Sequence, residues 1–280
     1  MKTRSFGPEH SGVSIIGQGT WNLELAPRAE AIKTLQRGLD LGMTHIDTAE
    51  MYGSGKAEAI TGDAIAGKRD RVFVVSKVLP SNASRKGTLA ACERSLRQLK
   101  TDYLDCYLLH WRGAYPLEET FAAFEELKTA GKIRSWGVSN FDADDLDEAL
   151  AIAGPGRIAC NQVLYHLRER AIEHAVIPWC EKNDVAVVAY SPFGQTASPA
   201  ITTPGGKALA EIADARDATP RQIALAFLTR RKSVLAIPKA SKVAHAEENA
   251  GGGDLELTDE EVAKIDKAFP LGRSKSLPML

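Results

Sequence analysis

Residues 103–110 read Tyr-Leu-Asp-Cys-Tyr-Leu-Leu-His. An apolar run of this length, nearly continuous rather than alternating, reads as a strand buried on both faces, as in a parallel sheet. Before it, Leu89, Cys92, Leu96 and Leu99 fall at i, i+3, i+7 and i+10, the apolar stripe of a helix. After it, Phe121, Phe124 and Leu127 repeat the stripe, and Gly131 supplies a stop. The same unit recurs along the chain. Short apolar runs stand at Val13–Ile16, Thr44–Asp47, Val72–Lys77, Tyr103–His110, Ile133–Ser139, Ala159–Tyr165, Val185–Ser191 and Val234–Pro238, with helix-like segments between them. Thr219-Pro220-Arg221-Gln222 opens one such helix with an N-cap, a proline at N1 and a glutamine at N3; Thr258 with Glu261 opens another after the eighth unit. Eight strand–helix units in 280 residues predict a closed (β/α)8 barrel, one domain over residues 1–280, with a doubly wound sheet as the alternative architecture. The segments Gly194–Gly206 and Gly251–Gly253 read as loops beside the barrel, not as domain boundaries.

Bulk properties narrow the function. The chain is 44% hydrophobic and 25% charged, which allows a sizeable core and argues against disorder. A net charge of −1 points to neither nucleic acid nor an anionic membrane, so an anionic ligand needs a local basic cluster. The four cysteines, Cys92, Cys106, Cys160 and Cys180, form no CxxC pair and read as small buried side chains in a reducing compartment. The N-terminus MKTRSFGPEH has no apolar signal region, and no run approaches the roughly 20 apolar residues of a membrane helix. A cytoplasmic protein, monomeric, is expected.

In a (β/α)8 barrel the active site lies at the C-terminal ends of the strands. The runs end in Asp47, Lys77, His110, Ser139-Asn140, Tyr190-Ser191 and Lys239, and the sixth carries Asn161-Gln162. Each alone has a plain structural use as a cap, a solvated strand end or a loop bracket. Together they place an acid, a base, an imidazole and amides around one mouth. Tyr52 follows Asp47 by five residues. A free tyrosine, with a pKa near 10, is a poor proton donor at neutral pH; a nearby ammonium lowers that value. Lys77 is the candidate ammonium, Asp47 its orienting partner, and His110 a second hydrogen-bonding group for the same substrate oxygen. Such a cluster can protonate a carbonyl oxygen while its carbon takes up hydride. No side chain carries hydride, so a cofactor is required. Ser139, Asn140 and Gln162 can bind a carboxamide, and Tyr190 can stack on a flat ring.

Asp47-Thr48-Ala49 with Tyr52, Lys77 after Val-Val-Ser, His110-Trp111, Gly137-Val138-Ser139-Asn140, Asn161-Gln162, Tyr190-Ser191-Pro192 and Ile237-Pro238-Lys239 resemble the motifs of the aldo-keto reductases, in order, from about Gly17 to Asn249. The resemblance implies a barrel, NADPH, and catalytic roles for Tyr52, Lys77, Asp47 and His110. It implies carboxamide binding by Ser139, Asn140 and Gln162, ring stacking by Tyr190, and further cofactor contacts by Gly19, Thr20, Asp47, Ser191, Pro192, Gly194 and Ile237. Trp21, His110 and Trp111 fall at substrate positions. His110-Trp111-Arg112-Gly113 further resembles bacterial methylglyoxal-reducing members.

Gly17-Gln18-Gly19 is not a dinucleotide fingerprint, because Asn22 stands where the third glycine belongs. The better phosphate site is Lys239-Ala240-Ser241-Lys242, where charge and hydroxyl can hold a 2′-phosphate. Glu248 and Asn249 resemble the family's adenine contacts. His245 departs from the pattern, which has arginine there; a histidine lacks the planar fork and the permanent charge. NADPH is expected, with use of NADH open. Short connections at the mouth (Trp111 to Pro116) and a short tail (Pro270–Leu280) favour small polar carbonyls: methylglyoxal, glyceraldehyde-like aldehydes or keto-sugars. Arg112 reads equally as an attractor of a substrate carboxylate or as a solvated loop residue. Two rival readings stand beside the reductase. A non-catalytic cofactor-binding subunit is compatible with an intact tetrad. A metal-dependent barrel hydrolase is opposed by the lack of ligand spacing and by Lys77, which repels a cation; no metal is expected.

Overall fold

The structure, a computed structural model, describes residues 1–194, 202–273 and 276–279. An antiparallel hairpin, β1 (Thr3–Phe6) and β2 (His10–Ser14), precedes the barrel. The barrel strands are β3 (Gln18–Gly19), β4 (His45–Asp47), β5 (Phe73–Val78), β6 (Leu104–Leu109), β7 (Ile133–Ser139), β8 (Ile158–Leu164), β9 (Ala186–Tyr190) and β10 (Val234–Ala236). All are parallel and pair in sequence order. Parallel bridges Ile16–Ala236 and Gly19–Lys239 close the first strand onto the last, so the doubly wound alternative is excluded.

Around the strands run α1 (Arg28–Asp40), α2 (Lys56–Ala64), α3 (Arg85–Leu99), α4 (Leu117–Thr129), α5 (Ala143–Ala153), α6 (Val176–Lys182), α7 (Pro204–Ala215), α8 (Pro220–Leu228), α9 (Val243–Gly251) and α10 (Asp259–Ala268). The expected boxes form: the Thr219 and Thr258 side chains cap α8 and α10, and Gln222 and Glu261 reach back. The stripe of α3 is buried at Cys92, Leu96 and Leu99, and that of α4 at Phe121, Phe124 and Leu127.

Two readings change. Val13–Ile16 joins the barrel wall only at its end, where Ile16 bridges Ala236. Val13 belongs to the hairpin, and with Phe6 it packs into the barrel interior against Val75, Leu108, Val188 and Leu235. The strand itself is Gln18–Gly19, too short and too glycine-rich to show as an apolar run. Within Gly194–Gly206, residues 195–201 lie outside the described residues, and Thr203 starts α7 by accepting from the Gly206 amide. All four cysteines are buried and free.

Strand side chains alternate between the barrel interior and the helices. On β5, Phe73 and Val75 belong to the interior cluster, while Val74 and Val78 pack outward. Lys77 shares the interior parity and sits one step nearer the mouth. Cys106 and Leu108 lead to His110 in the same way.

Candidate active site

Asp47, Lys77, Tyr52 and His110 come together at the C-terminal mouth. Lys77 Nζ donates to Asp47 Oδ1 at 2.6 Å, to the Thr48 carbonyl at 2.8 Å and to the Tyr52 hydroxyl at 3.3 Å. The two charged side chains are 0% and 1% exposed, so the pair has no water to share. Gln162 Nε2 donates to Asp47 Oδ2 at 2.7 Å, which occupies the second carboxylate oxygen. The His110 ring meets the Tyr52 ring edge-on at 5.7 Å and the Trp111 ring at 4.8 Å.

Burial and charge set the protonation states. Burial pulls Lys77 toward its neutral form, but Asp47 and Tyr52 more than offset this and hold it above its usual value. Burial pushes the Tyr52 hydroxyl up; Lys77 opposes that and Asp47 adds to it, and the net direction is upward. The expected net lowering of Tyr52 is therefore corrected. Lys77 restrains the rise and does not reverse it, because desolvation of the phenolate is the larger effect. Tyr52 stays protonated at neutral pH. His110 is pushed down to about 2 by burial and by Lys77, so the imidazole is neutral. Its buried Nδ1 has no partner.

A cavity of about 140 Å³ opens in front of these groups. Gly19, Thr20, Trp21, Asp47, Tyr52, His110, Trp111, Ser139, Asn140, Gln162, Tyr190, Ser191, Ile237 and Lys239 line it. Gly19 is a steric necessity: a Cβ there would stand 2.6 Å from the Ile237 carbonyl oxygen. Met51 also lines the cavity and was missed; its only sequence signal is its position beside Tyr52. Asn140, at φ 61, is a bracket as well as a wall. It donates to the His110 carbonyl at 3.1 Å and to the Ser139 hydroxyl at 3.2 Å, and accepts from the Tyr190 hydroxyl at 2.9 Å. Ser139 donates to the Gln162 carbonyl at 2.8 Å.

The remaining candidates lie outside this cavity. Pro192 lines a small crevice with His166 and Arg168, and Gly194 faces the same two side chains. Lys239 reaches out to the Ser241 hydroxyl at 3.2 Å. Beyond it, α9 carries exposed His245, Glu248 near Arg221 at 3.8 Å, and buried Asn249. Asn249 Oδ1 is buried without a partner. Arg112 turns away from the cavity. It meets Glu148 through two 2.7 Å bonds and Asp145 at 3.0 Å. Among the described residues no group of His, Cys, Asp and Glu has a metal-holding arrangement, and no helix is long and apolar enough to cross a membrane.

Fold and site define a (β/α)8 protein with an acid–base cluster at its C-terminal mouth. The aldo/keto reductase family profile matches residues 15–269, and the chain belongs to that family of oxidoreductases. It is 45% identical over 263 residues to methylglyoxal reductase YeaE of Escherichia coli, covering 93% of both chains. Glyoxal reductase of Bacillus subtilis is 32% identical over 259 residues, 92% of this chain and 90% of that one. An aldo-keto reductase from Klebsiella pneumoniae, solved in complex with NADPH, superposes with a TM-score of 0.93 at 44% identity over the whole of both chains.

Proposed function

We propose that the chain is a cytoplasmic, monomeric, NADPH-dependent reductase of small carbonyls: methylglyoxal, glyceraldehyde-like aldehydes and keto-sugars. The observation that carries this is Tyr52, protonated at the cavity wall, within 3.3 Å of an ammonium that Asp47 keeps charged. Tyr52 donates a proton to the substrate oxygen. Lys77 stabilises the phenolate that is left, and Asp47 holds Lys77 in place. His110, neutral, offers a ring nitrogen to the same oxygen. Trp21, Met51 and Trp111 form the apolar wall beside it. Relatives named as methylglyoxal and glyoxal reductases support the substrate class.

The residues present fit a dinucleotide. Gly19 and Thr20 line the cavity, Asn249 offers an orphaned acceptor, and Lys239 with Ser241 offers charge and hydroxyl between them. NADPH, when bound, supplies the hydride. Ser139, Asn140 and Gln162 would hold the carboxamide, with Asn140 exchanging its bond to Ser139. Tyr190 would flank the ring; Thr20, Ser191 and Ile237 would line its path. His245 would meet the 2′-phosphate, and Glu248 and Asn249 the adenine. Arg112 is spent on Glu148 and Asp145, so the site lacks that cation for a substrate carboxylate, which favours uncharged carbonyls.

The test is NADPH consumption over a carbonyl panel, with Tyr52→Phe alongside. Loss of general acid catalysis is expected to lower kcat by about 10²–10⁴ while NADPH binding persists. A Tyr52→Phe enzyme with full turnover overturns the assignment of the donor. A wild-type chain that binds NADPH and reduces nothing favours a binding subunit.

A further inference from the structure

Two carboxylates outside the barrel, Glu58 buried and Glu50 partly buried, have no part in the chemistry above. Both belong to the segment that carries Tyr52, and both grip the strand that carries Lys77. Glu58, on α2, is 1% exposed and accepts from the Ser76 hydroxyl at 2.6 Å. Ser76 precedes Lys77 and, by strand alternation, points the opposite way, to the helix layer. Glu50, two residues before Tyr52, accepts from the Leu79 amide at 2.8 Å and from Asn82 Nδ2 at 2.9 Å, both through Oε1. Its other oxygen meets Arg94 at 3.0 Å. Leu79 follows Lys77 by two residues. The stretch Ser76–Leu79 is thus held on either side of Lys77 by the segment that bears Tyr52. The main chain adds the Thr48 amide on the Val75 carbonyl at 2.9 Å.

Apolar side chains at positions 58 and 76 would join helix to strand without the desolvation cost of a carboxylate. What a carboxylate adds is a short, directional bond of fixed length. The Lys77–Tyr52 contact needs such control. At 3.3 Å it lies at the long end of hydrogen-bond distances, and a shift of about half an ångström would end it.

We infer that Glu58 and Glu50 are positioning residues, an external brace that sets the height of Lys77 against the Tyr52 hydroxyl. The inference rests on the reading of Tyr52 as proton donor. The brace acts on the ammonium–phenol contact and makes no bond to Lys239, Ser241 or Asn249, the residues assigned to the cofactor's phosphate and adenine.

The test uses the full chain with Glu58→Ala, Glu58→Gln and Glu50→Ala. Three quantities are measured: kcat and KM for NADPH and a carbonyl, thermal stability, and the ¹³Cζ resonance of Tyr52, assigned by its loss in Tyr52→Phe. Glu58→Gln keeps an acceptor for Ser76 and is expected to match wild type. Glu58→Ala is expected to lower kcat about tenfold or more, since small misplacements of reacting groups are costly. Its KM for NADPH should stay within about twofold, because that binding is uninvolved. The Tyr52 resonance should move in Glu58→Ala and return in Glu58→Gln. Glu50→Ala, at a more accessible position, carries the same expectation if Glu58→Ala does not fold. A less stable Glu58→Ala protein with wild-type kcat and an unmoved Tyr52 resonance overturns the brace. Equal losses in Glu58→Gln and Glu58→Ala overturn it too. If no carbonyl is reduced even by wild type while the Tyr52 resonance still follows residue 58, the reductase reading fails and the brace stands.

Discussion

Asp47→Asn removes one charge from a pair that water does not reach. Lys77 would keep the Thr48 carbonyl at 2.8 Å and the Tyr52 hydroxyl at 3.3 Å, but no counter-charge. Breaking a buried pair in this way costs about 3–5 kcal/mol. Lys77 can escape by shedding its proton. From an ordinary value of 10.5, holding it neutral at pH 7 costs about 5 kcal/mol at about 1.4 kcal/mol per pH unit. The two routes are of similar size, so the loss at pH 7 is expected at about 3–5 kcal/mol. The pH dependence gives the sharper check. In wild type the folded value of Lys77 is raised, so its contribution is complete below 10.5 and is lost only as pH rises through that folded value. Without Asp47, burial dominates and the folded value falls below 10.5. The unfolded chain then binds more protons, and the variant gains stability as pH rises toward 10.5. The gap between the two proteins should narrow from pH 7 to pH 9.5. Urea unfolding followed by tryptophan fluorescence at both values measures it. A gap below about 1 kcal/mol at pH 7, or one that does not change with pH, refutes the account of the buried pair.

His45 and His110 are held neutral, at about 4 and about 2 against an ordinary 6.5, by burial above all. Their contribution is complete above pH 6.5 and is lost as pH falls from 6.5 toward the folded values; at pH 5 each should cost about 2 kcal/mol. His45 sits between the Phe6 and Phe73 rings with neither ring nitrogen satisfied, so His45→Leu should flatten the acid limb of urea stability; an unchanged slope counts against it. His245→Arg is expected to tighten NADPH more than NADH in fluorescence titrations, since arginine adds a fork and a permanent charge; an unchanged ratio removes His245 from the phosphate site. Arg112→Ala should change stability by no more than about 1 kcal/mol, as exposed pairs do, and should leave relative kcat/KM for carboxylated and uncharged aldehydes as in wild type. A selective loss of carboxylated substrates would show that Arg112 leaves Glu148 and Asp145 to bind them.

Much of this protein is written locally. The barrel follows from eight repeats of a buried strand and an amphipathic helix, because burial on both faces leaves a continuous apolar run and helix packing leaves a stripe. The caps at Thr219 and Thr258 span three residues and need no tertiary information. The polar strand ends named most of the cavity wall, since strand parity aims Lys77 inward once the strand is known. Val13–Ile16 misled for a related reason: an apolar run marks burial, and a hairpin plugging the barrel is as buried as a strand within it.

Other features exist only in three dimensions. Gln162 meets Asp47 across 115 residues, and no spacing rule announces a contact between strands so far apart. The upward direction of Tyr52 depends on how completely the fold excludes water, a quantity that outweighs the lysine beside it. Arg112 read equally as a ligand for substrate or as a solvated residue until α5 placed two carboxylates against it. Glu50 and Glu58 carry no sequence signal of their own; only the packing of their segment against the outer side of β5 brings them to the Leu79 amide and the Ser76 hydroxyl. Residue identity and periodicity determined which groups are available to the site. Distances, burial and charge balance, which belong to the packed chain alone, decided which of them meet and in what protonation state.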